Sequence, residues 1–127
     1  MIKHDSVKMT ADELYYRRAN CYAKNGEMRK AIADYDAILK MDPSHEEAYK
    51  YRGDCHAELG EPQLAIADYT KAIENDTESP GSSYFARSQV YEKMGNKIQA
   101  AADKKKALEL GYVPRSNRRE SPGSTNR

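Results

Sequence analysis

Three stretches decide how this chain is read: Tyr15-Tyr16-Arg17-Arg18-Ala19-Asn20, Tyr49-Lys50-Tyr51-Arg52-Gly53-Asp54 and Tyr84-Phe85-Ala86-Arg87-Ser88-Gln89. Each opens on a tyrosine, places an arginine three residues later and follows it with a small residue, and the openings recur at periods of 34 and 35 residues. A glycine stands eleven residues after each tyrosine (Gly26, Gly60, Gly95), and five further on begins Ala-x-Ala-Asp, at 31 to 34, 65 to 68 and 100 to 103. Three copies holding register at so many positions form an internal repeat.

Within each copy the spacing is helical. Tyr15, Ala19, Tyr22 and Ala23 fall at three- and four-residue intervals along one face. A second apolar face follows each glycine: Ala31, Ile32, Tyr35, Ile38 and Leu39; Ala65, Ile66, Tyr69, Ala72 and Ile73; Ala100, Ala101, Ala107 and Leu108. Each copy is thus a helical hairpin, with glycine at a turn where positive φ costs it nothing. Small residues (Ala19, Gly53, Ser88, and Ala31, Ala65, Ala100) sit where the helix axes cross and let them approach. Thr10-x-x-Glu13 and Ser44-x-x-Glu47 both read as capping boxes ahead of an opening tyrosine, and Pro62 suits a first helical turn. Asp42-Pro43 closes the first copy. The longer joint 78–82 absorbs the extra residue between the second and third copies and is the expected hinge.

At 127 residues, the chain is one domain's worth of protein, with 32% charged residues, 39% hydrophobic residues, ten tyrosines and no tryptophan. Its mean hydropathy of -0.97 leaves little for a wide core but enough for a thin, elongated helical stack, so a large enzyme cleft is not expected. No run reaches the roughly 18 to 20 apolar residues of a membrane span. Residues 1–9 carry Lys3, His4, Asp5 and Lys8 where a signal peptide needs an apolar stretch. A soluble, cytoplasmic protein is expected. The net charge of +1 hides an asymmetry: residues 112–127 hold four arginines against one acid, Glu120, which is +3 and leaves -2 for the rest. The folded part is therefore no polyanion-binding surface by charge, and nucleic acid is not an expected partner for it.

No site chemistry stands out. Cys21 and Cys55 lie 34 residues apart in matching contexts and are expected as small buried apolar residues rather than a disulfide or metal ligands. Spacing brings no Ser, Cys or Asp partner to His4, His45 or His56, and there is no glycine-rich phosphate loop. No enzyme, cofactor or metal is expected.

These residues resemble the tetratricopeptide repeat (TPR), whose pattern runs aromatic, large-small pair, aromatic, alanine, aromatic, proline. The first copy reads Tyr15, Arg18-Ala19, Tyr22, Ala31, Tyr35 and Pro43, with Arg18 in place of the usual leucine. The second reads Tyr49, Arg52-Gly53, His56, Ala65 and Tyr69 and lacks the proline. The third reads Tyr84, Arg87-Ser88, Tyr91 and Ala100, with Lys104 where the last aromatic belongs. The likeness covers roughly residues 10–111. It implies an all-α, right-handed superhelical array of three antiparallel helix pairs, at about 12–45, 46–79 and 81–111. An N-terminal extension, 1–9, and an Arg/Ser/Pro-rich tail, 112–127, expected to lack order, flank them. Lys104-Lys105-Lys106 would show water the polar face that the last repeat of a solenoid needs. The competing reading is a fragment whose capping helix is missing, with Leu108 and Leu110 exposed.

The resemblance also implies a concave groove lined by the first helix of each pair. The residues one, two and five places after each opening tyrosine should face it: Tyr16, Arg17 and Asn20; Lys50, Tyr51 and Asp54; Phe85, Ala86 and Gln89. Such mixed aromatic, amide and charged groups suit an extended peptide or a partner helix, whereas Tyr16 and Tyr51 could equally pack between repeats. Family members that serve chaperones grip the C-terminal carboxylate of an Hsp70 or Hsp90 tail with Lys, Asn, Asn, Lys and Arg. Only Asn20 matches. Tyr16, Tyr51, Ser82 and Ala86 occupy the other clamp positions, so a clamp-type Hsp tail is disfavoured. Arg18, Arg52 and Arg87 are expected to run their stems along the helix-pair joint, with heads in water or paired with acids. The expected function is that of a scaffold or adaptor binding a protein or peptide ligand. The alternatives are a self-assembling structural module with weak self-association, and RNA or acidic-partner binding through the basic tail, where Ser121 precedes Pro122.

Overall fold

The computed structural model of the chain describes residues 9–114; the expectations for residues 1–8 and for the tail from residue 115 on lie outside the described residues. Six helices follow one another: α1 Ala11–Lys24, α2 Met28–Met41, α3 Glu46–Glu58, α4 Pro62–Asn75, α5 Gly81–Met94 and α6 Lys97–Glu109. The Thr10 capping box forms as read, with the Thr10 hydroxyl accepting from the Glu13 amide and the Glu13 carboxylate accepting from the Thr10 amide, each at 3.3 Å. The Ser44 box does not. His45 caps α3 instead, its Nδ1 accepting from the Ala48 amide at 3.0 Å. Ser44 donates both its amide (3.1 Å) and its hydroxyl (2.8 Å) to Asp42 Oδ1. This Asx turn engages the serine side chain in the loop and moves the helix start on by one residue. Pro62 opens α4 as expected, and Gly26, Gly60 and Gly95 turn the chain at φ of 82, 74 and 85°.

Each helix packs on its neighbours in sequence: α1 with α2, α3 with α4 and α5 with α6 are the hairpins, and α2 with α3 and α4 with α5 join them. The core is a line of small residues, Ala19, Ala31, Ala48 and Ala65, all at 0% exposure, interrupted by Tyr35, Ile38 and Tyr69. At Gly53 smallness is a steric requirement, since an added Cβ would stand 3.0 Å from Tyr69 Cε1 and 3.2 Å from Asp68 Cβ. Both cysteines are free thiols, and Cys55 is buried, but Cys21 is exposed, contrary to expectation. Among the described residues no helix lies over the face of α1 that carries Cys21, whereas Cys55 shares a core cluster with Ala31 and Ile38 of α2.

The array ends on α6 with Lys104, Lys105 and Lys106 in water. Leu108 and Leu110 are exposed too, at 52% and 45%. Past α6 the chain turns at Gly111 (φ 86°), and the Tyr112 amide donates to the Ala107 carbonyl at 3.0 Å. The Tyr112 ring then lies 5.4 Å from that of Phe85, and Pro114 is buried. A Cβ on Gly81 would sit 2.7 Å from Tyr112 Cβ, so the start of α5 is shaped to receive this return. In the joint before α5, Asp76 Oδ1 accepts from the amides of Glu78 (3.1 Å) and Ser79 (3.0 Å), so the segment expected as a hinge is organised by one carboxylate.

Candidate functional site

The repeated arginines set the frame of the groove. In every repeat Nε and Nη2 of the arginine donate to both oxygens of the Ala-x-Ala-Asp carboxylate. The distances are 2.9 and 2.8 Å for Arg18 to Asp34, 2.9 and 2.8 Å for Arg52 to Asp68, and 2.7 and 2.8 Å for Arg87 to Asp103. The three aspartates are buried, and their two oxygens match the planar fork of a guanidinium. Each guanidinium also lies over the ring of its opening tyrosine, 5.5 to 5.7 Å from the centroid. Arginine in the pattern's leucine position thus locks the two helices of a hairpin through a charged, hydrogen-bonded joint. Two of them reach back one repeat as well: Arg52 to Asp36 at 2.7 Å and Arg87 to the Thr70 hydroxyl at 2.9 Å.

A second ladder runs on the other side of α1 and α3. Tyr35 of α2 donates its hydroxyl to Asn20, and Tyr69 of α4 donates to Asp54. These two groove residues, which the sequence offers no reason to bury, are therefore half-buried acceptors for core tyrosines. In the third repeat Lys104 replaces the tyrosine, and Gln89 is exposed. Burial pushes the Asp54 carboxyl above the usual carboxylate range, with Glu58 adding to the rise and the Tyr69 hydroxyl and Lys50 pulling it back. The Tyr69 phenol is pushed up mainly by burial, and then by the Asp54 charge beside it.

Three concavities meet at Asp54. One of about 660 Å³ lies between α3 and α5 and is lined by Asp54, Ala57, Glu58, Ala86, Val90 and Met94, among others. A second, of about 380 Å³, lies between α1 and α3, with Asn20, Lys24, Tyr51 and Glu58 on its walls. The third, of about 530 Å³, includes Lys50, Ser82, Phe85, Gln89, Tyr112 and Pro114. Asn20, Lys50, Tyr51, Asp54, Phe85, Ala86 and Gln89 are thus brought to one continuous surface.

Two residues stand apart. Arg17 lies with Leu14 and Cys21 on the outer edge of α1. Tyr16 is half-buried among Tyr35, His45 and Tyr51, with ring centroids 6.4, 5.7 and 6.1 Å away, which is packing between repeats. Tyr51 does both, stacking on Tyr35 at 6.4 Å under the Lys50 ammonium while it faces a concavity. Lys24, Glu58 and Lys93, four residues beyond Asn20, Asp54 and Gln89 on the same helix faces, line these concavities too, and the helical period is the signal that marks them. Tyr112 and Pro114 carried no such signal, because only the return past α6 brings them to α5.

A stack of helical hairpins with a continuous concave face defines the class, a helical-repeat module for protein interaction. The chain belongs to the tetratricopeptide repeat family: two of its profiles, both described as tetratricopeptide repeat, match residues 13–82 and 81–110. Among solved structures it is similar to the Arabidopsis OM64 TPR domain, at 29% identity and TM-score 0.76, over 80% of this chain and 83% of that one. It is similar to MamA at 28% identity and TM-score 0.73, over 78% of this chain and 57% of that one. The fold is shared by the second TPR of Spaghetti (RPAP3) bound to the HSP90 peptide SRMEEVD, at 22% identity and TM-score 0.75, over 80% and 93%. A comparison with curated proteins finds no match. Among the described residues, no helix is long and apolar enough to cross a membrane.

Proposed function

We propose that this chain acts as an adaptor whose groove holds an extended peptide across α3 and α5, with the peptide backbone hydrogen-bonding to Asn20 and Gln89 and its side chains entering the concavities around Asp54. The observation that carries this reading is the convergence of three concavities on one half-buried carboxylate. Apolar walls (Ala57, Ala86, Val90, Met94) beside sparse polar groups are what peptide side chains need for both burial and orientation. SRMEEVD, the peptide held by the Spaghetti domains, is acidic. Here Tyr16, Tyr51, Ser82 and Ala86 supply no cation at the clamp positions, and Asp54 and Glu58 repel carboxylates from the centre. The groove therefore favours peptides without a clamped acidic end.

Selection of displayed random octapeptides on the purified protein, followed by affinity measurement of the winners, tests this reading. Gln89→Trp fills the groove from an exposed position, and Glu58→Lys reverses charge there. Each is expected to weaken the selected peptides at least tenfold with the helical circular dichroism unchanged, while SRMEEVD shows no saturable binding to the wild type. Selected peptides that bind both variants as tightly as the wild type would place the site elsewhere and refute the groove reading.

A further inference from the structure

The repeat register exposes a face that every later repeat buries. Leu14 of α1 corresponds to Ala48 and Ser83, and Cys21 to Cys55 and Val90, by the periods of 34 and 35. Ala48, Ser83, Cys55 and Val90 are 0, 3, 2 and 7% exposed, whereas Leu14 is 55% exposed. Cys21 is exposed as well. The arginines follow suit: the Arg18 side chain is 58% exposed against 23% for Arg52 and 18% for Arg87. Among the described residues the difference is the helix packed ahead of each hairpin, which α3 and α5 have and α1 lacks. α2 covers α3 and α4 covers α5, and each puts a polar group on the incoming arginine, Asp36 on Arg52 and Thr70 on Arg87. On α1 the same face remains as an open concavity lined by Ala11, Leu14, Tyr15, Arg17, Arg18 and Cys21.

We propose that this edge of α1 docks an amphipathic helix from a partner protein, seated as α2 is seated on α3, with a carboxylate facing Arg18 and an apolar face over Leu14 and Cys21. The joint is continuous with the two inter-repeat interfaces inside the chain, so its geometry is already specified. Leu14, bulkier than the alanine and serine at its equivalent positions, adds apolar area to it. A second copy fits poorly. The position that carries Asp36 and Thr70 in the first two repeats carries Lys105 in the third, so end-to-end stacking would set Lys105 against Arg18. Arg18 keeps its own fork to Asp34, and the incoming carboxylate adds to that pair as Asp36 adds to the Arg52 pair.

Cys21 is a reporter already in place, since Cys55 is buried. The test measures the rate of Cys21 alkylation in the whole chain with two stapled, end-blocked peptides of the α2 sequence Met28–Met41, one native and one carrying Asp36→Lys. The native peptide should slow alkylation at least fivefold in a saturable manner, bind at least tenfold more tightly than its Asp36→Lys counterpart, and lose the effect on a Leu14→Asp protein. Leu14 is exposed, so that variant should keep its fold, and circular dichroism checks it. Absent protection, equal protection by both peptides, or protection that survives Leu14→Asp would each overturn the proposal. So would alkylation that slows with protein concentration alone while the mass rises, which would assign the face to a second copy. The groove variants Gln89→Trp and Glu58→Lys should leave the protection intact, so this edge and the groove fail or stand separately.

Discussion

Replacing Arg52 by leucine restores the residue the repeat pattern carries at that position, and it should nevertheless destabilise this protein. Arg52 donates twice to Asp68, whose side chain is 7% exposed, and once to the exposed Asp36. Removing the guanidinium strands a buried carboxylate, leaving it the His56 ring with Nε2 at 3.9 Å, beyond hydrogen-bond distance. Loss of one partner from a buried pair costs about 3 to 5 kcal/mol, and the Arg52 side chain, at 23% exposure, points to the lower end, about 3 kcal/mol. The surface contact to Asp36 adds about 0.2 to 1 kcal/mol at most. Against a total of about 5 to 15 kcal/mol for a domain, that is a large fraction, visible as a fall in melting temperature on the order of 15 °C. Urea unfolding at neutral pH measures it directly. The discriminating variant is the double Arg52→Leu, Asp68→Leu, in which no charge is left buried; it should recover to within about 1 kcal/mol of the wild type. Two single costs that simply add, or a single Arg52→Leu cost below about 0.5 kcal/mol, would refute the account. Arg18→Leu should cost less than Arg52→Leu, because the Arg18 side chain is 58% exposed and lacks a second carboxylate.

Gly53→Ala trades a gain in helix propensity of about 1 kcal/mol for a Cβ at 3.0 Å from the Tyr69 ring; a net loss of about 1 to 2 kcal/mol in urea unfolding is expected, and a gain would refute the crossing geometry. Asp54→Asn copies the first repeat, where Asn20 accepts from Tyr35. Because folding raises the Asp54 carboxyl, its ionisation opposes the folded state as pH climbs from the ordinary carboxylate range through the raised value. The variant should therefore gain stability over the wild type at pH 7 and gain less at pH 4; equal differences at the two pH values would sink this. For the thiols, burial pushes Cys55 up to about 11, so a disulfide reagent at pH 8 should titrate one cysteine, Cys21, in the native protein and two in urea.

Much of this was legible from spacing. Tyrosine, arginine, glycine and alanine recurring at 34 and 35 residues fixed the number of helices, their pairing and their turns, because helical periodicity and positive-φ turns are local properties written into neighbouring residues. Counting from the opening tyrosine in the same way leads to seven residues that line the concavities meeting at Asp54. Where reading failed, a second local interaction competed for the same atoms. Ser44 had the right spacing for a capping box, but Asp42 took its donors, and His45 supplied the cap.

The sequence by itself determined a tetratricopeptide repeat array, since a repeated pattern has few ways to bury its apolar face other than against its own copies. Tertiary structure decided what identical positions do. Cys21 and Cys55 share a context, yet one is exposed and the other buried, because α2 lies over the Cys55 face of α3 while no described helix lies over the Cys21 face of α1. Asn20 and Gln89 share a register position, yet only Asn20 accepts from a core tyrosine, because Lys104 interrupts that ladder in the third repeat. Burial and partners depend on which helix lies next door, and that neighbour is supplied from residues far along the chain.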